Sequence, residues 1–237
     1  MKNNPIYLNG INAISARRSR SSKSAFRLFI GISVVFFVFS LVLNIGYTKA
    51  ENKISQAGTV RLDTATFASG CFWCGEAKFS ALRGVLKVTS GYTGGRTPHP
   101  SYEQVCSGTT GHAEAFNIIY DTSVITYDEL LEAFFISHDP TQLNRQGNDV
   151  GTQYRSAIFV HNQAQAQKAN YYIHQLTEQK IYQQKIVTEV TPFRIFYNAE
   201  NYHQNYYKNN PGQGYCRYVI QPELEKFKQI FKEKLKK

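Results

Sequence analysis

Two cysteines three residues apart, Cys71 and Cys74, enclose a phenylalanine and the chain's only tryptophan in Ser69-Gly70-Cys71-Phe72-Trp73-Cys74-Gly75-Glu76. Thiols at this spacing can attack an electrophilic sulfur, exchange disulfides or supply half of a zinc site. The thiolate is the reactive form, and a free cysteine with a pKa of about 8.5 is only a few per cent ionised at neutral pH. The flanking pattern bears on that. A run of β-forming residues from Arg61 to Ala68 leads in, and a helical pattern from Phe72 to Arg83 leads out. Cys71 is therefore expected at a helix start. Unpaired N–H groups and the positive end of the helix dipole favour an anion there and lower a thiol's pKa.

Other reactive groups sit at junctions between loops and regular elements. Glu114 follows the glycine loop in Gly111-His112-Ala113-Glu114. Tyr102 follows Pro100-Ser101, Asp149 closes Gln146-Gly147-Asn148-Asp149, and Tyr154 lies in Gly151-Thr152-Gln153-Tyr154-Arg155. A thiol, carboxyl groups and phenols beside the apolar Phe72 and Trp73 suit a substrate with one polarised oxygen and small apolar groups. Each residue taken singly also has a structural reading: Phe72 and Trp73 as core aromatics, Glu114 on a strand surface, His112 and His203 as hydrogen-bonded structural histidines. Cys106 and Cys216 are single and distant, which argues against a zinc site. Cys106 reads as a buried small hydrophobe. Two further readings of the cysteines stay open: a thioredoxin-like dithiol made by Cys71 and Cys74, and a non-catalytic binding domain stapled by two disulfides.

The elements that must position these groups follow from the periodicity. After the first strand and helix, Gly84 breaks the pattern and Val85 to Tyr92 reads as a second strand. Ser101 to Cys106 suggests a helical turn, Ala113 to Tyr120 a strand, and Asp128 to Ser137 an amphipathic helix. His138 to Gln153 is a long polar loop, of the kind that is usually functional or disordered. Tyr154 to His161 reads as a strand and Asn162 to Ile181 as a helix capped by Asn162. Ile186 to Phe196 reads as extended, Asn198 to Lys208 as helical, Asn209 to Tyr215 as a loop and Pro222 to Leu235 as a terminal helix. The order from Arg61 to His161 is strand, helix, strand, strand, helix, strand. That order predicts an α+β fold: a ferredoxin-like two-layer α/β sandwich with a mixed or antiparallel sheet and C-terminal extensions.

The chain has 237 residues, is 42% apolar and carries a formal charge of +10. Seven of its 27 basic residues lie before Ala50, with no acid among them. The charge is thus largely a feature of the N-terminus, not a nucleic-acid footprint, and the lysine-rich last helix reads as a solvated face. Residues 1–27 form a basic segment. Leu28 to Thr48 carries no charge and is close to the ~20 residues that span a bilayer. The basic side stays in the cytoplasm by the positive-inside rule, so the rest is expected to be exported. Either the span remains as a signal anchor, or it is a signal peptide cut near Thr48-Lys49-Ala50. Residues 49–60 then form a linker and 61–237 the catalytic domain.

Taken together and in order, several segments resemble the A class of peptide methionine sulfoxide reductases, which act on the S epimer. They are Gly70 to Trp73, Gly91 to Gly95, Gly108 to Ala115, His138 to Pro140, Gln146 to Asp149, Gly151 to Ser156, Ala199 to Gln204 and Gly214 to Cys216. The resemblance implies reduction of methionine sulfoxide, in oxidised proteins and as the free amino acid. It implies no cofactor or metal, only an external thiol reductant such as thioredoxin. It matches Cys71 to the nucleophile, Phe72 and Trp73 to the wall for the substrate methyl group, and Glu114 to the acid that protonates the sulfoxide oxygen. Tyr102 and Tyr154 match phenols that hydrogen-bond that oxygen, and Asp149 a further acid of the pocket. The sequence departs from the commonest pattern at Cys74, where glycine is frequent. Two thiols can then resolve a sulfenic acid on Cys71: Cys74, or Cys216 in a Gly-rich tail able to swing in. Cys216 is favoured, because a disulfide within one helical turn is strained.

Overall fold

The computed structural model describes residues 60–237. The basic segment and apolar span expected over residues 1–48 lie outside the described residues, as does nearly all of the linker. Among the described residues no helix is long and apolar enough to cross a membrane.

The chain runs β1 (Leu62–Ser69), α1 (Phe72–Ser80), β2 (Val85–Thr93), α2 (Tyr102–Cys106), β3 (Ala113–Asp121) and α3 (Tyr127–Ser137). A small hairpin follows, β4 (Arg145–Gln146) and β5 (Asp149–Val150), then β6 (Ser156–Val160) and α4 (Gln163–Glu178). The chain ends with β7 (Glu189–Pro192), β8 (Phe196–Asn198), α5 (Tyr206–Asn209) and α6 (Gln221–Ile230). The main sheet has the order β7-β6-β1-β3-β2-β8. Its inner four strands, β6-β1-β3-β2, are antiparallel neighbours and carry the expected ferredoxin-like order. The extensions make the sheet mixed, since β7 adds parallel to β6 and β8 antiparallel to β2.

Helices α1 and α3 cross over between strands and cover one face of the sheet. That face is aromatic: the Phe67 and Phe134 rings lie 5.0 Å apart, as do those of Phe79 and Phe116. Each such side chain, fully buried, contributes roughly 1.5–3 kcal/mol. Ala169, Tyr172 and Leu176 of α4 and Phe227 of α6 extend the same cluster. The opposite face is built from small residues, Ala68, Ala113, Ala115 and Ala157, with Phe159. Phe193 and Phe196 pack over them. Local chemistry fixes the helix starts. Thr126 and Glu129 form a reciprocal capping box on α3, and Ser101 and Gln104 do the same on α2. The Asn162 side chain caps α4 as expected, accepting from Gln165 N–H at 2.9 Å. Of the C-terminal lysines, Lys228, Lys232, Lys236 and Lys237 are exposed, as expected of a solvated face, whereas Lys234 is half-buried and bonds Glu132 at 3.0 Å.

Three stretches differ from the sequence expectation. Residues 198–208 are not one helix: they end β8, pass through a 3₁₀ turn at Asn201–His203 and form only the short α5. Asn205, at φ +52, takes the left-handed conformation that interrupts a helix. The polar loop 138–153 holds the β4–β5 hairpin, turned at Gly147 with φ +60. Cys216 is not on a loose Gly-rich tail. It begins a wide π turn, Cys216–Ile220, that runs directly into α6, and its side chain is fully buried. The apolar Ile220, packed in the same cluster as Cys216, draws that turn inward.

Candidate active site

Cys71 stands at the junction of β1 and α1, as the cap residue of the helix with φ −57 and ψ 125. Two glycines make this junction possible. Gly70 bends the chain at φ +89, where a Cβ would lie 2.6 Å from Gln146 Cβ of the polar loop. Gly75 lets α1 close onto β3: a Cβ there would lie 2.2 Å from the Phe116 ring. The reactive end of α1 is thus pressed against the sheet and roofed by the loop.

Glu114, the second residue of β3, points at that helix start. Its Oε2 accepts the Phe72 N–H at 3.1 Å, using one of the helix's unpaired donors. The side chain is 2% exposed, and burial pushes its pKa up to about 8 against the opposing Phe72 bond. At neutral pH it is therefore mostly a carboxylic acid, able to donate a proton. Cys71 departs from the sequence expectation. Burial first, then its bond to the Cys74 thiol and the charges of Cys74 and Glu114, push its pKa well above the ordinary thiol value, against a lowering bond from the Trp73 N–H. Desolvation outweighs the helix start, so the resting group is a thiol.

The other expected groups gather around this pair. Burial, then the Glu114 and Cys71 charges, raise the Tyr154 phenol above its ordinary range. Burial, a bond to Cys106 and the Glu114 charge do the same for Tyr102. Both phenols stay protonated as donors. Asp149 is half-buried; burial raises its pKa, and its Oδ2 accepts the Tyr215 hydroxyl at 2.6 Å. Phe72 and Trp73 follow Cys71 in the first turn of α1. Phe72 is buried, and its ring lies 6.1 Å from that of Trp73. Trp73 in turn stacks on Tyr206 at 3.7 Å.

Both candidate second thiols are buried beside Cys71. Cys74 lies in the same turn, its backbone N–H donating to the Cys71 carbonyl at 3.1 Å, and its charge is among the causes that raise the Cys71 pKa. Cys216 packs in the same cluster, and burial followed by the Cys74 charge raises its pKa. All four cysteines are free, which does not fit the disulfide-stapled reading. Cys106, at the end of α2, is only partly buried and not the buried small hydrophobe expected, because the short helix leaves its last residue at the edge of the fold beside Tyr102. A cavity of about 280 Å³ opens beside Cys71 and Cys74, lined also by Lys78, Asp149, Tyr215 and Glu223. Among the described residues no group of three or more His, Cys, Asp and Glu side chains could hold a metal ion.

Sequence reasoning missed the supports of the site. Glu76 is buried, and its Oε1 accepts the Asn205 N–H at 3.0 Å, anchoring the turn that carries Tyr206. Its place four residues after Phe72, on the same stripe of α1, was a signal that could have been read. Tyr206 carried none, and Tyr215 only its place in the Gly214 to Cys216 segment, because only the folded chain brings them to Trp73.

This arrangement can deliver a sulfur nucleophile to one side of a substrate and protons to an oxygen on the other. Comparison with known proteins agrees. The profile of the peptide methionine sulfoxide reductase family matches residues 63–235. The peptide methionine sulfoxide reductase of Deinococcus radiodurans is 51% identical over 193 residues, covering 81% of this chain and 94% of the relative. The corresponding Acinetobacter baumannii protein is 53% identical over 175 residues, covering 74% and 99%. Among solved structures, methionine sulfoxide reductase A of Corynebacterium diphtheriae is similar with a TM-score of 0.59 and 38% identity, over 66% of this chain and 78% of the other. The reduced form of Mxr1 from Saccharomyces cerevisiae is similar with a TM-score of 0.60 and 34% identity, over 67% and 93%.

Proposed function

From the premise that this chain belongs to the peptide methionine sulfoxide reductase family, we propose a mechanism in which Cys71 and Glu114 act as one proton-sharing pair. The chain is an oxidoreductase that returns methionine sulfoxide to methionine. The observation that carries the mechanism is a buried carboxyl, held as an acid at about pKa 8, beside a buried thiol at a helix start.

The substrate methyl group rests against Phe72 and Trp73, and the sulfoxide oxygen faces Glu114, Tyr102 and Tyr154. Attack of the Cys71 thiolate on the substrate sulfur drives negative charge onto that oxygen, which takes protons from the donors aimed at it. Cys71 Sγ bonds to the substrate sulfur as the sulfur–oxygen bond breaks and the protonated oxygen leaves as water. A water then attacks Cys71 Sγ, the sulfur–sulfur bond breaks, methionine leaves, and Cys71 is left as a sulfenic acid with one proton released. Two electrons have passed from Cys71 to the substrate. The resting thiol is mostly protonated, so the reactive anion is a minor form of the free enzyme. Asp149 accepts the Tyr215 hydroxyl at 2.6 Å and so orients both groups in the lining of the cavity beside Cys71.

A second thiol then condenses with the sulfenic acid and releases water. The place of Cys74 in the same turn, its backbone N–H on the Cys71 carbonyl at 3.1 Å, supports Cys74 as the first partner, and the strain argument weakens because Cys71 is a cap residue outside the helical conformation. Cys216, packed against Cys74, is the second candidate. The disulfide is returned to thiols by exchange with an external dithiol protein of the thioredoxin class. Disulfide mapping after one turnover tests this: a Cys71–Cys74 bond supports the order, and a direct Cys71–Cys216 bond overturns it.

The reaction itself is tested by incubating the full chain with each epimer of a blocked methionine sulfoxide and dithiothreitol. Selective reduction of the S epimer, as peptide and as free amino acid, is expected. Insulin reduction without sulfoxide turnover would instead favour a general dithiol oxidoreductase. The basic, then apolar, N-terminus supports export to the outside of the cytoplasmic membrane. A mature protein beginning near Glu51 would exclude the anchored form.

A further inference from the structure

The 3₁₀ turn after β8 places one buried histidine against both walls of the site. His203 is 1% exposed. Its ring lies 5.5 Å from that of Trp73, 5.1 Å from that of Phe72 and 4.5 Å from that of Tyr102. Trp73 Nε1–H donates to His203 Nδ1 at 3.2 Å. An indole nitrogen can only donate, so Nδ1 carries the lone pair and the neutral ring holds its proton on Nε2. Burial lowers the ring's pKa and favours that neutral form. Nε2 has no hydrogen-bond partner among the described residues, and the nearby carboxylate oxygen is Glu200 Oε2 at 3.8 Å.

Glu200 ties down the other wall. Its Oε1 accepts the Tyr102 backbone N–H at 2.9 Å, at the open start of α2. Its Oε2 accepts the Tyr92 hydroxyl at 2.8 Å. One turn of chain thus holds the indole of Trp73 from its nitrogen and the phenol of Tyr102 from its backbone. Stacking on Tyr206 sets the tilt of the indole, but leaves it free to slide and rotate in its own plane. The bond to Nδ1 removes that freedom.

We propose that His203 and Glu200 are positioning residues with separate tasks: His203 fixes the wall that binds the methyl group, and Glu200 fixes the phenol that serves the sulfoxide oxygen. This rests on the reading that Trp73 forms the methyl wall and Tyr102 donates to the oxygen. A pocket wall acts on substrate binding, whereas a donor to developing charge acts in the transition state. The two residues therefore affect different kinetic constants.

The experiment is steady-state kinetics on the S epimer of a blocked methionine sulfoxide, with the indole N–H resonance of Trp73 recorded in parallel. As the only tryptophan, Trp73 gives that signal without ambiguity. His203→Phe keeps the ring contacts and deletes the acceptor. It should raise KM about tenfold and change kcat less than about twofold, and it should shift the indole resonance. His203→Asn sets an amide oxygen near the Nδ1 position and should recover most of both. Glu200→Gln should lower kcat about tenfold with KM little changed. Parallel changes in KM and kcat for both residues, or loss of thermal stability with an unmoved indole resonance, would overturn the proposal. Trp73→Phe and Tyr102→Phe separate the two levels. If they fail to raise KM and lower kcat respectively, the reading of the walls falls and the inference falls with it.

Discussion

The ferredoxin-like core and the wrap of chain from Ala199 to Ile220 hold together by different means. The core relies on strand ladders and a continuous aromatic layer. The wrap has little regular structure, and side chains gripping backbone groups attach it. Gln204 brackets Ser90, accepting its N–H at 3.1 Å and donating to its carbonyl at 2.9 Å. Glu76 and Glu200 each accept one backbone N–H across the boundary, from Asn205 and Tyr102. The core supplies the thiol of Cys71 and the acid of Glu114. The wrap supplies Tyr206 and His203 behind the wall, Tyr215 over the cavity, and Cys216. Groups that must keep their geometry through bond breaking sit on a strand–helix junction. Tyr206, His203 and Cys216, which pack around the site from outside the core, sit on a segment joined to it largely by side-chain bonds to backbone groups.

The sharpest way to test this division is to remove the core's nucleophile. Cys71→Ser should reduce turnover on the order of 10⁴-fold or more, measured as methionine released, with little change in thermal midpoint. Retained turnover would move the chemistry to the wrap.

Glu114→Gln comes next, lowering kcat by about 10²–10³-fold. It should also change the pH profile. The reactive state of the Cys71–Glu114 pair holds one proton, on Glu114, with the thiol ionised. In the wild type kcat/KM should rise and then fall at alkaline pH as the last proton leaves the pair. With glutamine that fall should vanish. Stability carries the same signature. A carboxyl raised from 4.5 to about 8 in the fold stabilises fully below the unfolded value, and the contribution is lost as pH rises to the folded value. Denaturant midpoints should therefore decline less between those limits in Glu114→Gln than in the wild type.

Gly75→Ala attacks the contact between α1 and the sheet. Its Cβ collides with Phe116, so stability should fall by about 1–3 kcal/mol, read as a lower denaturant midpoint. Activity should fall with it, because Cys71 rides on the same helix. The smallest effect is expected at the far side of the core. Asn162→Ala removes the α4 cap and should lose about 1 kcal/mol while leaving kcat/KM unchanged. A matching loss of activity would show that core and site are not separable there.

Much of the core was legible in sequence because its signals are local. Alternation in β1 and β3, the stripe of Leu130, Leu131, Phe134 and Phe135, and the cap at Asn162 each act over a few residues. The site was legible where a reactive residue lay at the edge of such an element, as with Cys71 and Glu114. The wrap was not, because Asn205 breaks the helical pattern with a backbone conformation stabilised by the distant Glu76.

By itself, then, the sequence around Cys71-Phe72-Trp73-Cys74 determined that a thiol flanked by aromatics would begin a helix after a strand, and, with the other matching segments, which family's chemistry it resembles. Only the tertiary structure decided the thiol's ionisation. The same helix start that favours an anion is buried beside Glu114, and desolvation outweighs the dipole because the loss of water acts on the whole charge. It also decided that Cys74 and Cys216 both lie buried in one cluster with Cys71, since the segment carrying Cys216 reaches the site only in the packed fold.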